Sequence, residues 1–247
     1  MLNSPTHDKL AALHLHEMAT AWREQQTQVD HIALTFDERF GFLVDAQWLA
    51  RENRRLQRSL QEARLRLTHA TIEAIEHRPQ RPLDKAIIRQ LATGRWIAEH
   101  HNLVLTGPTG TGKTFLACAL AHQACRTGYR VLYRRVPRLF EELTLAHADG
   151  SYTRLLARLA RFDVLVLDDW GLAPLRDSDR RDLLEIFDDR YGTRSTILTS
   201  QLEVEHWHDQ LGEATVADAI CDRLLHNAHR IALTGPSWRK ENAQLEA

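Results

Sequence analysis

The spacing of hydrophobic positions changes character once along this chain. Up to residue 77 it is helical. Leu15, Met18 and Trp22 mark one face of a first helix, with Leu10 and Leu13 leading in. Thr35-Phe36-Asp37-Glu38 has the form of a capping box, and Phe36, Phe40 and Leu43 follow at helical spacing. A third helix carries Leu49, Leu56, Leu60 and Leu67, and the first 78 residues contain one glycine, Gly41. This pattern predicts a small all-helical N-terminal domain over 1–77. Residues 78–83 follow as a linker, because Pro79 and Pro82 block helix and favour extended chain.

From residue 84 to 247 the pattern alternates. Asp84 is placed to cap a helix carrying Ile87, Ile88, Leu91 and Ile97. Strand-length apolar runs then appear at Leu103–Thr106, Arg130–Arg134, Asp163–Asp168, Ser195–Thr199 and Arg230–Leu233, most of them separated by long helical stretches. Alternation of this kind predicts an α/β fold, a parallel sheet with covering helices.

Composition narrows the function classes. With 32 Lys+Arg against 33 Asp+Glu in 247 residues, a uniformly basic nucleic-acid coat is excluded, though a local basic patch is not. Cys118, Cys125 and Cys221 cannot all pair and form no CxxC, which disfavours a disulfide scaffold or a cysteine-rich zinc site and fits a reducing, cytoplasmic setting. No secretory signal or run of 18 apolar residues is visible, so no membrane association is expected. Only four lysines occur, Lys9, Lys85, Lys113 and Lys240, so the setting of each is informative.

One of them completes a motif. Gly107-Pro108-Thr109-Gly110-Thr111-Gly112-Lys113-Thr114 reads GxxxxGK[ST], preceded by an apolar strand and followed by a helix with Leu116, Ala119 and Leu120 facing inward and Gly128 at its C-cap. The glycines let backbone N–H groups curl around phosphate oxygens at a helix N-terminus. Lys113 then reaches the β/γ-phosphates of ATP, and Thr114 ligates Mg²⁺. Some fifty residues on, Val164-Leu165-Val166-Leu167-Asp168-Asp169 is a buried strand ending in two carboxylates. Asp168 is suited to hold Mg²⁺ and Asp169 to polarise the attacking water. The strand Ser195–Leu198 runs into Thr199-Ser200-Gln201, polar side chains that could meet the γ-phosphate or the lytic water, although taken alone they are better explained by ordinary turn chemistry. Arg223 beside Asp222 is either a surface ion pair or a finger inserted into a neighbour's nucleotide site.

Taken together, Gly107–Thr114, Val164–Asp169, Thr199–Gln201, Asp222-Arg223-Leu224 and Gly235–Arg239 resemble the AAA+ ATPases. Phe36 to Trp48, Arg51 to Leu56 and Asp222 to Ile231 resemble more specifically the IstB-like family, helper ATPases of insertion-sequence transposition related to bacterial helicase loaders. The resemblance covers nearly the whole chain. It implies an ATPase that forms a homo-oligomer with ATP sites at subunit interfaces, binds duplex DNA and activates a partner transposase. It further implies a Walker A motif at Gly107–Thr114, a Walker B motif at Asp168 and Asp169, sensor 1 near Ser200, an arginine finger at Arg223 and a sensor 2 arginine at Arg239. Asp169 replaces the usual Glu, Gln201 a frequent Asn, and Pro236 a frequent acidic residue; only eight residues follow Arg239, too few for a full helical lid.

For DNA the arginine-rich, acid-free run 126–138 is the expected contact, with Arg134, Arg135 and Arg138 beside a sheet edge. A second cluster, Arg51, Arg54, Arg55, Arg58, Arg64 and Arg66, fits DNA contact and a solvated helix face equally. Two other roles remain open: a helicase loader of replication, and a nucleotide-switched adaptor with poor hydrolysis.

Overall fold

The computed structural model describes residues 4–27, 34–76 and 83–237. Contacts within the chain divide it into two units, Met1–Arg58 and Ser59–Ala247. No helix of the described residues is long and apolar enough to cross a membrane.

The first unit contains α1 (Ser4–Ala12), α2 (His16–Thr27) and most of α3 (Phe36–Ala63). The single leading helix expected from periodicity is broken, because His14 turns the chain through left-handed backbone at φ +58°. The capping box forms: the Thr35 N–H donates to Glu38 Oε2 at 2.8 Å and the Glu38 N–H to Thr35 Oγ1 at 3.3 Å. The two helices expected after it are one, since no glycine or proline falls between Leu43 and Leu49 to stop it. Gln47 Oε1 of α3 accepts the Glu17 and Met18 N–H groups, at 3.2 and 3.3 Å, capping α2 from outside.

The division between the units falls inside α3, ahead of the linker at 78–83, of which only Leu83 is among the described residues. The cause is residues 59–76, whose partners lie in the second unit. Glu62 accepts from Arg130 at 2.9 Å, Glu73 accepts from Arg126 at 2.6 Å, and Ala63, Leu65 and Ala70 are buried.

The second unit continues with α4 (Lys85–Ala92), α5 (Arg95–Ala98), β1 (Asn102–Thr106), α6 (Lys113–Arg126), β2 (Val131–Arg135), α7 (Val136–Asp149), α8 (Tyr152–Ala160), β3 (Val164–Trp170), α9 (Asp177–Arg190), β4 (Ser195–Ser200), α10 (Trp207–Leu211), α11 (Ala214–Leu225) and β5 (Ala228–Ala232). All five strands pair in parallel, in the order β2-β3-β4-β1-β5. The sheet is covered on both faces, as parallel sheets are. Val104, Leu132, Leu165, Leu167 and Leu198 pack into a core with α7 to α11, while the alternating Leu103, Leu105, Val166 and Ile197 are buried on the other face, where α6 lies. Asp84 Oδ1 caps α4 by accepting from the Ala86 N–H at 2.7 Å, as expected.

Two buried polar side chains stitch this unit at the end away from the glycine loop. Asn102, at the start of β1, donates through Nδ2 to the Arg223 and Leu224 carbonyls at 3.1 Å each and accepts the Thr196 N–H at 2.9 Å. Arg190 is 2% exposed and donates to the Leu159 and Phe162 carbonyls at 2.9 Å and to the Ser195 carbonyl. Burial lowers its pKa to about 9.

Candidate nucleotide site

β4 lies between the glycine-loop strand β1 and the acid strand β3, so the ends of all three strands meet at one edge of the sheet. The loop needs its glycines. Gly107 has φ +137°, and a Cβ there would run into the Leu233 carbonyl. Gly112, at φ +96°, is the N-cap of α6 and supplies no side-chain acceptor, which leaves the first amides of that helix for an anion. Lys113 is the first helical residue and only 8% exposed; its Nζ donates to the Gly107 and Pro108 carbonyls at 2.6 and 2.8 Å. Thr109 Oγ1 donates to Gln201 Oε1 at 2.7 Å, tying the loop to the end of β4.

Facing the loop is a set of donors converging on the acid pair. Asp168 is fully buried and accepts from Thr114 Oγ1 at 3.0 Å, from Tyr133 Oη at 2.5 Å and from Thr199 Oγ1. Asp169 breaks the strand. Its φ is +65°, and the β3–β4 register shifts between Leu167 and Trp170. Left-handed backbone costs a non-glycine residue about 1–2 kcal/mol, and Asp and Asn visit it most readily. A bulge of this kind re-aims a side chain out of the strand's alternation; here Asp169 lines the cleft with Asp168 beside it. Arg135 Nε donates to Asp169 Oδ2 at 2.7 Å, and Arg66 Nη1 lies 3.5 Å from Asp168 Oδ2 and 3.8 Å from Asp169 Oδ2. Burial, with Asp168 as hydrogen-bond acceptor, pushes the Tyr133 phenol far above its ordinary range. For Arg66 burial pulls downward, but the hydrogen bond to Tyr133 and the two carboxylates outweigh it and raise the pKa.

The cleft between these walls encloses about 500 Å³ and is lined by Thr109–Thr114, Asp169, Thr199–Gln201, Arg66 and Arg135. Apolar and aromatic groups, Leu67, His69, Ile75, Phe115 and Leu233, complete it. Its volume suits a nucleotide. Thr114 and Asp168 are the adjacent hard-oxygen donors that Mg²⁺ prefers. Among the described residues no group of three or more His, Cys, Asp or Glu could hold a metal alone, so the ion would draw its remaining ligands from phosphate and water.

Not every expected site residue gathers here. Ser200 lines the cleft, but its hydroxyl donates to the Trp170 carbonyl at 3.1 Å and accepts the Leu202 N–H at 3.0 Å; Thr199, one residue earlier and on the opposite side of the strand, meets Asp168. Arg223 stands in the last turn of α11, its guanidinium on Asp188 and its carbonyl at the start of β1. Arg239 lies outside the described residues.

Among the expected DNA-facing arginines, Arg134 needs correction. Arg134 is 7% exposed, donating to Glu142 at 2.9 Å and to the Tyr133 carbonyl at 2.9 Å, so it presents no guanidinium to a phosphate. Arg135 is held by Asp169, and the exposed Arg138 pairs with Glu141 at 3.3 Å. With Arg126 on Glu73 and Arg130 on Glu62, all five arginines of the run are ion-paired. Tyr133 and Arg66 are the site residues that sequence reasoning missed, while Thr199 was named there as part of a strand-end group. Strand alternation at β2 could have flagged Tyr133; nothing local points to Arg66.

A family profile described as IstB-like ATP binding protein matches residues 8–246. An insertion-sequence ATP-binding protein of Sinorhizobium fredii is 50% identical over 240 residues, 97% of this chain and 98% of that one. The ATP-binding protein of insertion sequence IS1162 from Pseudomonas fluorescens is 52% identical over 202 residues, 82% of this chain and 87% of its own. Among solved structures, DnaI (TM-score 0.56, 23% identity, 72% of this chain and 94% of that chain) and the DnaC helicase loader (0.55, 24%, 67% and 97%) share the fold. So does the replication initiator DnaA bound to AMPPCP and single-stranded DNA (0.55, 17%, 68% and 50%). The glycine loop, the acid pair behind it and a profile match over nearly the full length agree: this chain belongs to the IstB-like ATP-binding protein family.

Proposed function

We propose that the protein is an ATPase that assembles on duplex DNA as a homo-oligomer and activates a partner transposase. The observation that carries this reading is the bond from Thr114 Oγ1 to Asp168 Oδ1, 3.0 Å, which joins the P-loop to the acid strand beside Asp169. Lys113 would exchange its loop carbonyls for the β/γ-phosphates of ATP, and Thr114 with Asp168 would hold Mg²⁺. Bound magnesium supplies charge neutralisation across the phosphate oxygens. Asp169, turned into the cleft, orients the attacking water and accepts its proton once Arg135 releases it. Thr199, with Gln201 on the loop, takes the polar strand-end role expected of Ser200; Arg239 stays assigned as the sensor 2 arginine.

Arg223 supports an oligomer. It sits at the far end of β1 from the P-loop, roughly 16 Å away for five strand residues. Its own nucleotide is out of reach, and its guanidinium rests on Asp188, a surface pair that it would exchange for a neighbour's nucleotide to act as a finger. The relatives are named for insertion sequences, which supports the transposase as partner. For DNA the structure favours another surface than the paired run: Arg154, Arg158 and Arg161 are exposed at helical spacing on and just after α8, and none is in an ion pair among the described residues. The N-terminal helices are assigned to assembly, partner or DNA contact, and residues 84–247 to the ATPase.

One observation favours a second reading. Both Arg135 and Arg66 hold Asp169, which suits an adaptor that binds ATP as a switch and hydrolyses it slowly. Turnover measured alone, with duplex DNA, and with DNA plus a transposase of a related insertion sequence separates the two. DNA-stimulated turnover supports the ATPase; ATP binding with no turnover under any of the three conditions overturns it in favour of the switch.

A further inference from the structure

Asp168 is crowded with donors. Oδ1 accepts from Thr199 and Oδ2 from Tyr133, the one Thr114 hydroxyl hydrogen is shared between the two oxygens, and Arg66 lies 3.5 Å from Oδ2. Any metal-bound water that bonds to this carboxylate must displace one of those donors. Tyr133 is buried and its bond is short, at 2.5 Å. Thr199 belongs to the sheet itself. Arg66 is different on every count. Its contact is long, 3.5 Å, its side chain is 40% exposed, and it comes from a connector rather than from the sheet. That connector is anchored on either side of Arg66. Arg64 closes α3 in left-handed backbone at φ +52°, and Ala63, Leu65 and Ala70 are buried around it. The charges are matched too: Arg66 and Arg135 together balance the two carboxylates.

We infer that Arg66 is an internal counter-cation of the acid pair, one that magnesium must displace, so that loading the metal–nucleotide complex loosens the stretch of connector around Arg66, between the buried Leu65 and Ala70. The inference rests on the nucleotide reading above and adds to it a regulatory element from outside the strand, loop and helix that form the site. It makes the connector sense the metal on the nucleotide rather than the nucleotide alone. Arg135, paired to Asp169 only, does not carry this role, because it leaves Asp168 untouched.

The test uses the full chain, wild type and Arg66→Gln, with a fluorescent ATP analogue titrated with Mg²⁺. The variant should reach half-maximal binding at roughly 1.5- to fivefold lower Mg²⁺, the range expected for removing a partly exposed ion pair that competes. An unchanged or higher Mg²⁺ requirement overturns the inference. Hydrogen exchange of the wild type is the second measurement, independent of how the variant folds. Amides of residues 66–69 should exchange faster with a non-hydrolysable ATP analogue plus Mg²⁺ than with the analogue in EDTA; equal rates overturn the inference. Failure of the wild type to bind the analogue at any Mg²⁺ concentration would instead remove the nucleotide reading, and this inference with it.

Discussion

The two walls of the cleft are built in opposite ways. The P-loop wall is eight consecutive residues whose partners are mostly one another: Lys113 on the Gly107 and Pro108 carbonyls, Thr111 on the Pro108 carbonyl. The acid wall is collected from the whole second unit, with Asp168 and Asp169 from β3, Tyr133 and Arg135 from β2, Thr199 from β4 and Arg66 from the segment after α3. A local wall is set by backbone geometry and survives changes elsewhere. A collected wall depends on every element that contributes to it, and it is where the state of the rest of the molecule can act on hydrolysis.

The first prediction presses hardest on that contrast. Asp169→Asn keeps a residue that accepts left-handed backbone but cannot take the water's proton. Turnover should fall about a hundredfold to ten-thousandfold with nucleotide binding retained. Unchanged steady-state turnover would assign the water to another acid. On the opposite wall, Lys113→Ala removes the loop's only side-chain cation. Affinity for a fluorescent ATP analogue should drop about tenfold to a hundredfold, the worth of a charged hydrogen bond, with folding intact by circular dichroism. Near-normal affinity would mean the loop is not the phosphate site.

Two smaller effects sharpen the distinction. Arg134→Gln should cost about 1–3 kcal/mol of stability in urea unfolding, because it strands the Tyr133 carbonyl and unpairs Glu142. Duplex affinity should move less than with Arg154→Glu and Arg158→Glu combined, and the reverse order would return DNA contact to the 126–138 run. Tyr133→Phe deletes one donor to the buried Asp168 carboxylate and should cost about 1.5–3 kcal/mol. A loss above about 3 kcal/mol would show that the acid wall fails as a unit rather than donor by donor.

What was legible in the sequence follows the same line. The five strand positions, the P-loop and the acid pair were readable because each is a contiguous pattern with its own period. The last strand begins at Ala228, two residues before the apolar run suggests, because its outer residues are half-exposed and carry little hydrophobic signal. The arginine run misled for a physical reason: residues 126–138 contain no acid, but Glu62, Glu73, Glu142 and Asp169 are brought to them by folding, and Glu141 by the next turn of α7. Local charge is not surface charge. The short acid at Asp169 looked like a departure that weakens hydrolysis; its positive φ supplies a backbone reason for a residue that tolerates that conformation better than glutamate does. Arg66 was visible only as one of six arginines on a helical stretch, and its role depends on a chain reversal at Arg64 that no spacing encodes.

Asn102 has a mechanical consequence. Its amide fastens the carbonyls of Arg223 and Leu224 to the first residue of β1, and the last residue of β1 leads into Gly107. The strand between is buried at every position and bonded on both sides, to β4 and β5. Packed interiors are nearly incompressible and pass strain along. A push on α11 at the Arg223 end would be passed along β1 as through a rod to the phosphate loop. In an oligomer of the kind proposed, with Arg223 against a neighbour, that rod would be a load path from one nucleotide to the next.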